Sequence, residues 1–295
     1  MALAACQVGA PAPSPLPIAP PEAPAVAPSE ASQALSRHYA RVQEDLVSQG
    51  LLRRDTGLDI PLSSSRLAET FLTVALFDEY VRQGDRLVPQ ATQTVLRRWD
   101  MPVRVSLRFG ASVPEAQRGT DRRTVTAYTR RLSQATGHPV MLSENRPNFH
   151  VFVLNEDERL DYDDELRAAL PGIDATTLRT IRTLARDTFC VVFAYGSADT
   201  GTFSRALAIV RGEHPDLLRG SCLHEEIAQG LGLVNDSRTA RPSIFNDDEE
   251  FAYLTGHDEL LLSMLYDPRM RPGMTLQQAR PIAYQIAAEK LGGES

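Results

Sequence analysis

The sequence predicts an α+β fold in which a mixed or antiparallel sheet follows a disordered, Pro/Ala-rich N-terminus. Strand-like segments cluster in the middle of the chain, helical periodicity dominates the remainder, and strands and helices do not alternate regularly. The chain has 295 residues, of which 42% are hydrophobic and 23% are charged. This composition is typical of a globular protein with one large domain or two small ones.

Composition and charge argue against a membrane-spanning protein and against a nucleic-acid-binding protein. The best apolar stretch, residues 71–77, has seven residues, whereas a membrane-spanning helix needs about 18. The net charge of -7 argues against a nucleic-acid partner, because the phosphate backbone requires a basic surface.

The first six residues contain Leu3, Ala4, Ala5 and Cys6. This segment resembles the lipobox of bacterial lipoproteins, which implies that Cys6 carries the lipid. A lipoprotein signal has an apolar region of about 7–15 residues before the lipobox, and only five residues precede Cys6. We therefore expect a truncated signal with further coding sequence upstream; the alternative is a chance match in an alanine-rich terminus.

A proline-rich segment follows. Eight of the 20 prolines lie between Pro11 and Pro28, a composition that favours an extended, semi-rigid spacer. We expect residues 1–31 to be signal and linker, residues 32–62 an N-terminal helical segment, and residues 63–292 the main domain. The predicted location is the periplasmic face of a Gram-negative cell envelope, with the membrane as one partner and an envelope protein or peptide as another.

Apolar periodicity gives the order of the elements. It predicts helices over residues 32–50, 66–82, 90–98, 122–135 and 176–186, and helices again dominate from residue 223. It predicts strands over residues 102–108, 139–142, 148–154, 189–194 and 205–211. The acidic stretch 155–165 is typical of a solvated loop that runs into a helix.

Two cysteines lie in the main domain. Cys190 falls in a predicted strand and Cys222 directly precedes a predicted helix. In an oxidising compartment we expect them to form a disulfide, which would contribute about 3–4 kcal/mol in the chain-entropy model. The alternative is a pair of buried free thiols.

Residues 222–236 hold the segment most typical of catalysis. Zinc peptidases carry the pattern H-E-x-x-H on one helix, with two histidine ligands four residues apart and a glutamate base between them. If His224 is the first ligand and Glu225 the base, the second ligand position falls on Ala228, which cannot bind a metal.

If the zinc-peptidase pattern is shifted by one residue, the spacing of the motif is kept, but its ligand positions carry oxygen side chains instead of imidazoles. Glu225 and Gln229 then take the two ligand positions, Glu226 becomes the base, Gly232 takes the turn position, and Asn235 takes the third ligand position beside Asp236. Zinc prefers nitrogen and sulfur ligands, so this oxygen set would hold it poorly. The alternative is an ordinary amphipathic helix with the apolar stripe Leu223, Ile227 and Leu231.

A wider resemblance covers roughly residues 65–280. The segment 224–236, together with residues 243–246, 257–258, 265–268 and 272–274, resembles a family of proteobacterial lipoproteins of unknown function. The family's helix is similar to the active-site helix of zincin-type metallopeptidases, with glutamine in place of the second histidine. The resemblance implies a zincin-like, metalloprotease-like fold more firmly than it implies peptidase activity.

The resemblance also implies site residues. The catalytic residues would be Glu225 and Glu226, and a divalent metal, zinc by analogy, would be held by some of His224, Gln229, Asp236 and His257. His257 has an alternative role as the cap of the helix that it precedes. The run of residues 246–250 is typical of a solvated turn, with a cation site as the alternative.

Two functions remain open at this stage. The first is a lipid-anchored envelope protein with a zincin-like metallopeptidase domain whose ligand set has degenerated. The second is a non-catalytic envelope binding or scaffold protein that uses the same fold. Bound metal and the effect of replacing Glu225 or Glu226 separate these two hypotheses.

Overall fold

A computed structural model describes residues 26–292 except 85, 198 and 247. The predicted lipidation at Cys6, the lipobox and most of the spacer lie outside the described residues. In the part of the chain that is described, no helix is both long and apolar enough to cross a lipid bilayer.

Helices occupy both ends of the described chain and the connections between strands. They are α1 (Glu30–Ser48), α2 (Ser64–Ala75), α3 (Glu115–Thr136), α4 (Glu156–Arg159), α5 (Asp163–Ala169), α6 (Ala175–Arg182), α7 (Asp216–Gln229), α8 (Gly256–Leu265) and α9 (Leu276–Lys290). The strands are β1 (Phe77–Gln83), β2 (Arg86–Gln93), β3 (Arg98–Trp99), β4 (Val103–Phe109), β5 (Val140–Leu142), β6 (Phe149–Leu154), β7 (Cys190–Ser197) and β8 (Thr202–Arg211).

The main sheet is mixed and mostly parallel. Its strand order is β3-β8-β6-β4-β5, with all neighbouring pairs parallel, and β7 pairs with β8 in the antiparallel sense. The two strands β1 and β2 form a separate antiparallel hairpin. The structure is therefore a mixed α/β fold. The alternation of strands and helices along the chain is incomplete, because residues 143–148 join β5 to β6 without a helix.

Strand β6 shows why the parallel sheet forms. All six of its residues are buried, as expected for a strand with helices on both faces of the sheet. One face packs against α2, α3, α7, α8 and α9 in the largest hydrophobic core. The other face packs against α5 and α6 in a smaller core. The active-site-type helix predicted from residue 223 is the second half of α7.

Two predicted helices are wrong in the region of the hairpin. The helix expected over residues 66–82 ends at Ala75, and the helix expected over residues 90–98 is replaced by β2 and β3. Gly84 has a φ of 62° where β1 ends, and this turn signal outweighs the helical periodicity that continues into β1. Helices α3 and α7 begin about seven residues earlier than the apolar pattern indicates.

An enclosed ion pair joins helices α3 and α7. The Nε atom of Arg219 donates to Asp121 Oδ1 at 2.8 Å, and the side chains are only 2% and 3% exposed. Arg219 also donates to the carbonyl oxygen of His214 and to Asp216. This pair fixes the N-terminal half of α7 against α3.

Candidate functional site

A groove of about 1090 Å³ lies beside the antiparallel edge of the sheet. Its walls come from the hairpin β1–β2, helix α6, strand β7 and the last two turns of α7. Strand β2 contacts α6, so the hairpin reaches across to the far wall. The groove therefore depends on four elements that are distant in the sequence.

Strand β7 presents a free edge to this groove. It pairs with β8 on one side, and no other strand of the described residues pairs with its other side. Its side chains alternate: Cys190, Val192 and Ala194 pack toward the core that contains α7, whereas Val191 and Phe193 pack toward the core that contains α6. An unpaired edge offers backbone N–H and C=O groups to another chain.

A disulfide joins β7 to α7. The Sγ atoms of Cys190 and Cys222 are 2.01 Å apart and the Cα atoms are 5.8 Å apart. The predicted disulfide is confirmed. Because the bond closes 32 residues of sequence, it holds the free strand edge beside the helix that carries the acidic side chains.

The C-terminal end of α7 is held by specific contacts. Trp99 Nε1 donates to the carbonyl oxygen of Gly230 at 2.8 Å. Gly232 has a φ of 129°, and a Cβ atom there would lie 2.2 Å from the carbonyl oxygen of Arg97. Only glycine fits this close approach. The sharp turn predicted at Gly232 therefore has a steric cause.

Glu225 and Glu226 both line the groove, as their positions on α7 predict. Burial raises the pKa of Glu225 well above its usual value, and the negative charges of Asp236 and Glu249 raise it further. Burial, Asp236 and Glu79 raise the pKa of Glu226 in the same way. The two adjacent carboxyl groups therefore hold protons at pH values where ordinary glutamates are ionised.

Glu226 is the more enclosed of the two. It is 4% exposed, and its Oε2 atom has no hydrogen-bond partner in the described structure. An unpaired buried acceptor costs free energy, so a group that donates to this atom would be stabilising.

Replacing Glu226 with glutamine should raise stability at alkaline pH. The folded-state pKa of Glu226 lies above the unfolded value of about 4.3, so its contribution to stability is present below that pH and is lost as the pH rises through the folded pKa. We expect Glu226→Gln to raise the free energy of unfolding by about 1–3 kcal/mol at pH 8, and by much less at pH 4.5, in urea titrations.

The exposed Glu144 provides the matched control. Its side chain is 55% exposed and lies outside the groove. Glu144→Gln should change the free energy of unfolding little at either pH. A Glu226→Gln variant that is destabilised equally at both pH values would contradict the burial of an uncompensated carboxyl group.

Gln229 and Asp236 also reach the groove, and they bind each other. The Nε2 atom of Gln229 donates to Asp236 Oδ1 at 2.8 Å, and both residues line the groove. The structure thus brings together four of the predicted site residues, which are Glu225, Glu226, Gln229 and Asp236.

His224 does not join this group. Its ring stacks on Tyr128 with centroids 3.8 Å apart, and its Nδ1 atom accepts from the backbone N–H of Leu254 at 3.2 Å. Burial lowers the pKa of His224 to about 3, and Arg131 lowers it further. The neutral imidazole lies among core residues outside the groove wall, so we do not retain it as a ligand.

His257 is also placed away from the groove. Its Nδ1 atom donates to the carbonyl oxygen of Pro242 at 2.9 Å, and burial lowers its pKa. Thr255, not His257, caps α8: its side chain accepts from the backbone N–H of Asp258 at 3.1 Å. We therefore retain His257 neither as a cap nor as a ligand.

Sequence reasoning missed part of the groove. Glu79 and Tyr80 line it from the hairpin, where the sequence predicted a helix, and Asn246 and Glu249 line it from the acidic run 246–250. Asn246 is 5% exposed, so the run is not simply a solvated turn. Its Oδ1 atom accepts from the backbone N–H of Asp248 at 3.1 Å, whereas its Nδ2 atom has no partner in the described residues.

A group that could hold a metal ion is present, but it does not fit zinc. Ligand atoms of Cys190, Glu225 and Glu226 lie within 4.8 Å of one another. Cys190 is already bonded to Cys222, so it cannot supply a thiolate, and the remaining donors are oxygens. Zinc sites rely on nitrogen and thiolate ligands. This cluster therefore does not suit zinc, and of the predicted metal ligands only Gln229 and Asp236 line the groove beside it.

These features define a mixed α/β protein with an acidic groove along a free strand edge. The chain belongs to the family described as "Protein of unknown function (DUF2927)", whose profile matches residues 64–285. This confirms the predicted membership of a family of unknown function. The match includes the hairpin, β7 and α7 and leaves out α1. No curated protein and no solved structure matches the chain.

Proposed function

We propose that this domain binds an extended peptide segment, which adds as a strand to the free edge of β7. The observation that carries the proposal is the position of that edge: residues 190–195 all line the groove. Strand addition gives affinity through backbone hydrogen bonds, and side-chain pockets give specificity.

The size of the groove supports a ligand of this kind. Ligand pockets measure about 300–1,000 Å³, and this groove, at about 1090 Å³, lies at the upper end of that range. Its lining includes residues of α6, of β7 and of the end of α7. A groove of this volume has room for an extended segment of several residues.

The proposal includes a zincin-like domain in a lipid-anchored envelope protein. The groove side of α7 keeps the spacing of Glu225, Glu226, Gln229 and Gly232, and this supports kinship with zincins. The disulfide between Cys190 and Cys222 supports an oxidising compartment. The lipobox-like segment and the proline-rich spacer support attachment through Cys6.

Hydrolysis of the bound peptide is the second candidate function. The specific observation in its favour is the adjacent pair Glu225 and Glu226, whose pKa values are both raised. In such a pair one carboxylate can take a proton from water while the other, protonated, donates one to the leaving amine. A divalent metal such as zinc belongs to this candidate as a proposal only, since the donors do not suit it.

Peptide capture tests the proposal. The immobilised protein is incubated with a pool of random octapeptides and, separately, with the same pool N-methylated at every backbone nitrogen. We expect capture of the first pool and at least about tenfold less of the second, because N-methylation removes the donors that a strand edge requires. No capture, or equal capture of both pools, would contradict the proposal.

The same samples distinguish binding from hydrolysis. Mass spectrometry of the recovered peptides reports cleavage, and metal analysis of the purified protein reports bound zinc. The binding function predicts intact peptides and far less than one equivalent of zinc. Cleavage or stoichiometric metal that disappears in both Glu225→Gln and Glu226→Gln would establish the hydrolase instead.

The lipid anchor has its own test. Cells that express the gene with its upstream codons are labelled with a fatty acid that carries an alkyne. Incorporation of the label into the protein, and its loss in Cys6→Ser, is expected. Equal labelling, or none, in the two proteins would reject attachment through Cys6.

A further inference from the structure

The lining of the groove has more acidic than basic side chains. Among the described lining residues are eight carboxylate side chains and two guanidinium groups. The pair of Arg97 with Asp78 removes one charge of each sign from this count and leaves seven acidic side chains and one guanidinium group. A peptide that binds here therefore meets a field that favours positive charge.

Two buried polar atoms of groove-lining residues lack partners in the described structure, and one is an acceptor while the other is a donor. Glu226 Oε2 is an acceptor and Asn246 Nδ2 is a donor. Both residues line the groove and are at least nine-tenths buried. One ligand that satisfies both must present both a donor and an acceptor.

We infer that the groove selects peptides that carry a primary ammonium group, which donates to Glu226 and Glu225 while a neighbouring peptide carbonyl accepts from Asn246. This inference rests on the proposed function. An ammonium group has three donors and no acceptor, so it matches adjacent carboxylates. A free amino terminus and a lysine side chain both supply this chemistry.

A bare metal cation explains the two atoms less well. It would satisfy Glu226 Oε2, but it would leave the N–H group of Asn246 without an acceptor and facing a positive ion. The Oδ1 atom of Asn246, which suits a cation, already accepts from Asp248.

The charge environment agrees with this inference. Burial and neighbouring carboxylates raise the pKa values of Glu225 and Glu226. A bound ammonium group would offset that repulsion and return both carboxyl groups toward their ionised forms. Binding should therefore release protons at pH values where these carboxyl groups are protonated in the free protein.

Three octapeptide pools without arginine test the inference. The first has free amino termini and no lysine, the second is N-acetylated with one lysine, and the third is N-acetylated without lysine. We expect the wild-type protein to capture the first or the second pool at least about tenfold more than the third. The preferred pool identifies the source of the ammonium group.

Variants of groove residues test whether the groove causes the preference for peptides with an ammonium group. Glu226→Gln should reduce capture of the preferred pool to the level of the third pool, and Asn246→Ala should reduce it several-fold. The exposed control Glu144→Gln should behave like the wild type. A cooperative thermal unfolding transition verifies that each variant is folded. If Glu226→Gln fails to fold, capture by Asn246→Ala still tests the inference.

Each contrary result has a distinct meaning. Equal capture of all three pools overturns ammonium recognition and leaves peptide binding intact. Capture of none overturns both proposals. Equal capture accompanied by a rise in melting temperature with calcium chloride, present in the wild type and absent in Glu226→Gln, would replace the ammonium group with a metal ion.

Discussion

The double variant Cys190→Ala/Cys222→Ala is expected to lose about 3–4 kcal/mol of unfolding free energy. The disulfide closes a loop of 32 residues, and cross-linking a loop of this length removes that much chain entropy from the unfolded state. Cys222 is also 2% exposed in the core, so lost packing adds to the effect. Urea titration of both proteins without reductant measures the difference.

Reduction supplies the matched control. Wild-type protein unfolded in the presence of dithiothreitol should lose nearly the same free energy, whereas the double variant should not respond to the reductant. A difference below about 1 kcal/mol between the oxidised wild type and the variant would contradict the structural role of this bond. Because the bond also aligns β7 with α7, peptide capture should fall in the variant even where it remains folded.

Replacement of Asp121 with alanine should cost about 3 kcal/mol. It leaves the buried guanidinium of Arg219, 2% exposed, without its main partner, and breaking a buried pair on one side costs about 3–5 kcal/mol. We expect the lower end of this free-energy range, because Arg219 keeps its hydrogen bonds to Asp216 and to the carbonyl oxygen of His214. Chemical denaturation at pH 7 measures the change.

The double variant Asp121→Leu/Arg219→Met tests the cause of that loss. Burial raises the pKa of Asp121 despite the neighbouring Arg219, which indicates that desolvation outweighs the attraction within the pair. Removing both charges should therefore restore most of the lost free energy. A double variant as unstable as Asp121→Ala would assign the effect to packing and not to an unpaired charge.

The parts of this fold that the sequence predicts are those governed by local periodicity. The alternation in β4 and the continuous apolar run in β6 give the correct strands, because each pattern reports burial on one or both faces. The hairpin was missed, since its strands are stabilised by each other and by contact with α6. No local pattern reports such contacts.

In the candidate site, too, local spacing along the sequence predicts some features, and contacts with distant elements determine the others. Glu225, Glu226 and Gln229 line the same groove, and their spacing on α7 accounts for this because residues three and four apart share a helix face. His224 precedes Glu226 by two residues, which places it about 200° around the helix. A motif matched by letters cannot report which face is enclosed, and here Tyr128 covers the face that carries the imidazole.

Amide hydrogen exchange of β7 tests the central claim most directly. The protein is exchanged with and without a saturating amount of the captured octapeptides, and the backbone amides of residues 190–197 are followed by mass spectrometry. An added strand should slow exchange along β7, with little change in the already paired β6. Binding that leaves the β7 amides unchanged and protects another part of the surface would contradict recognition at this strand edge.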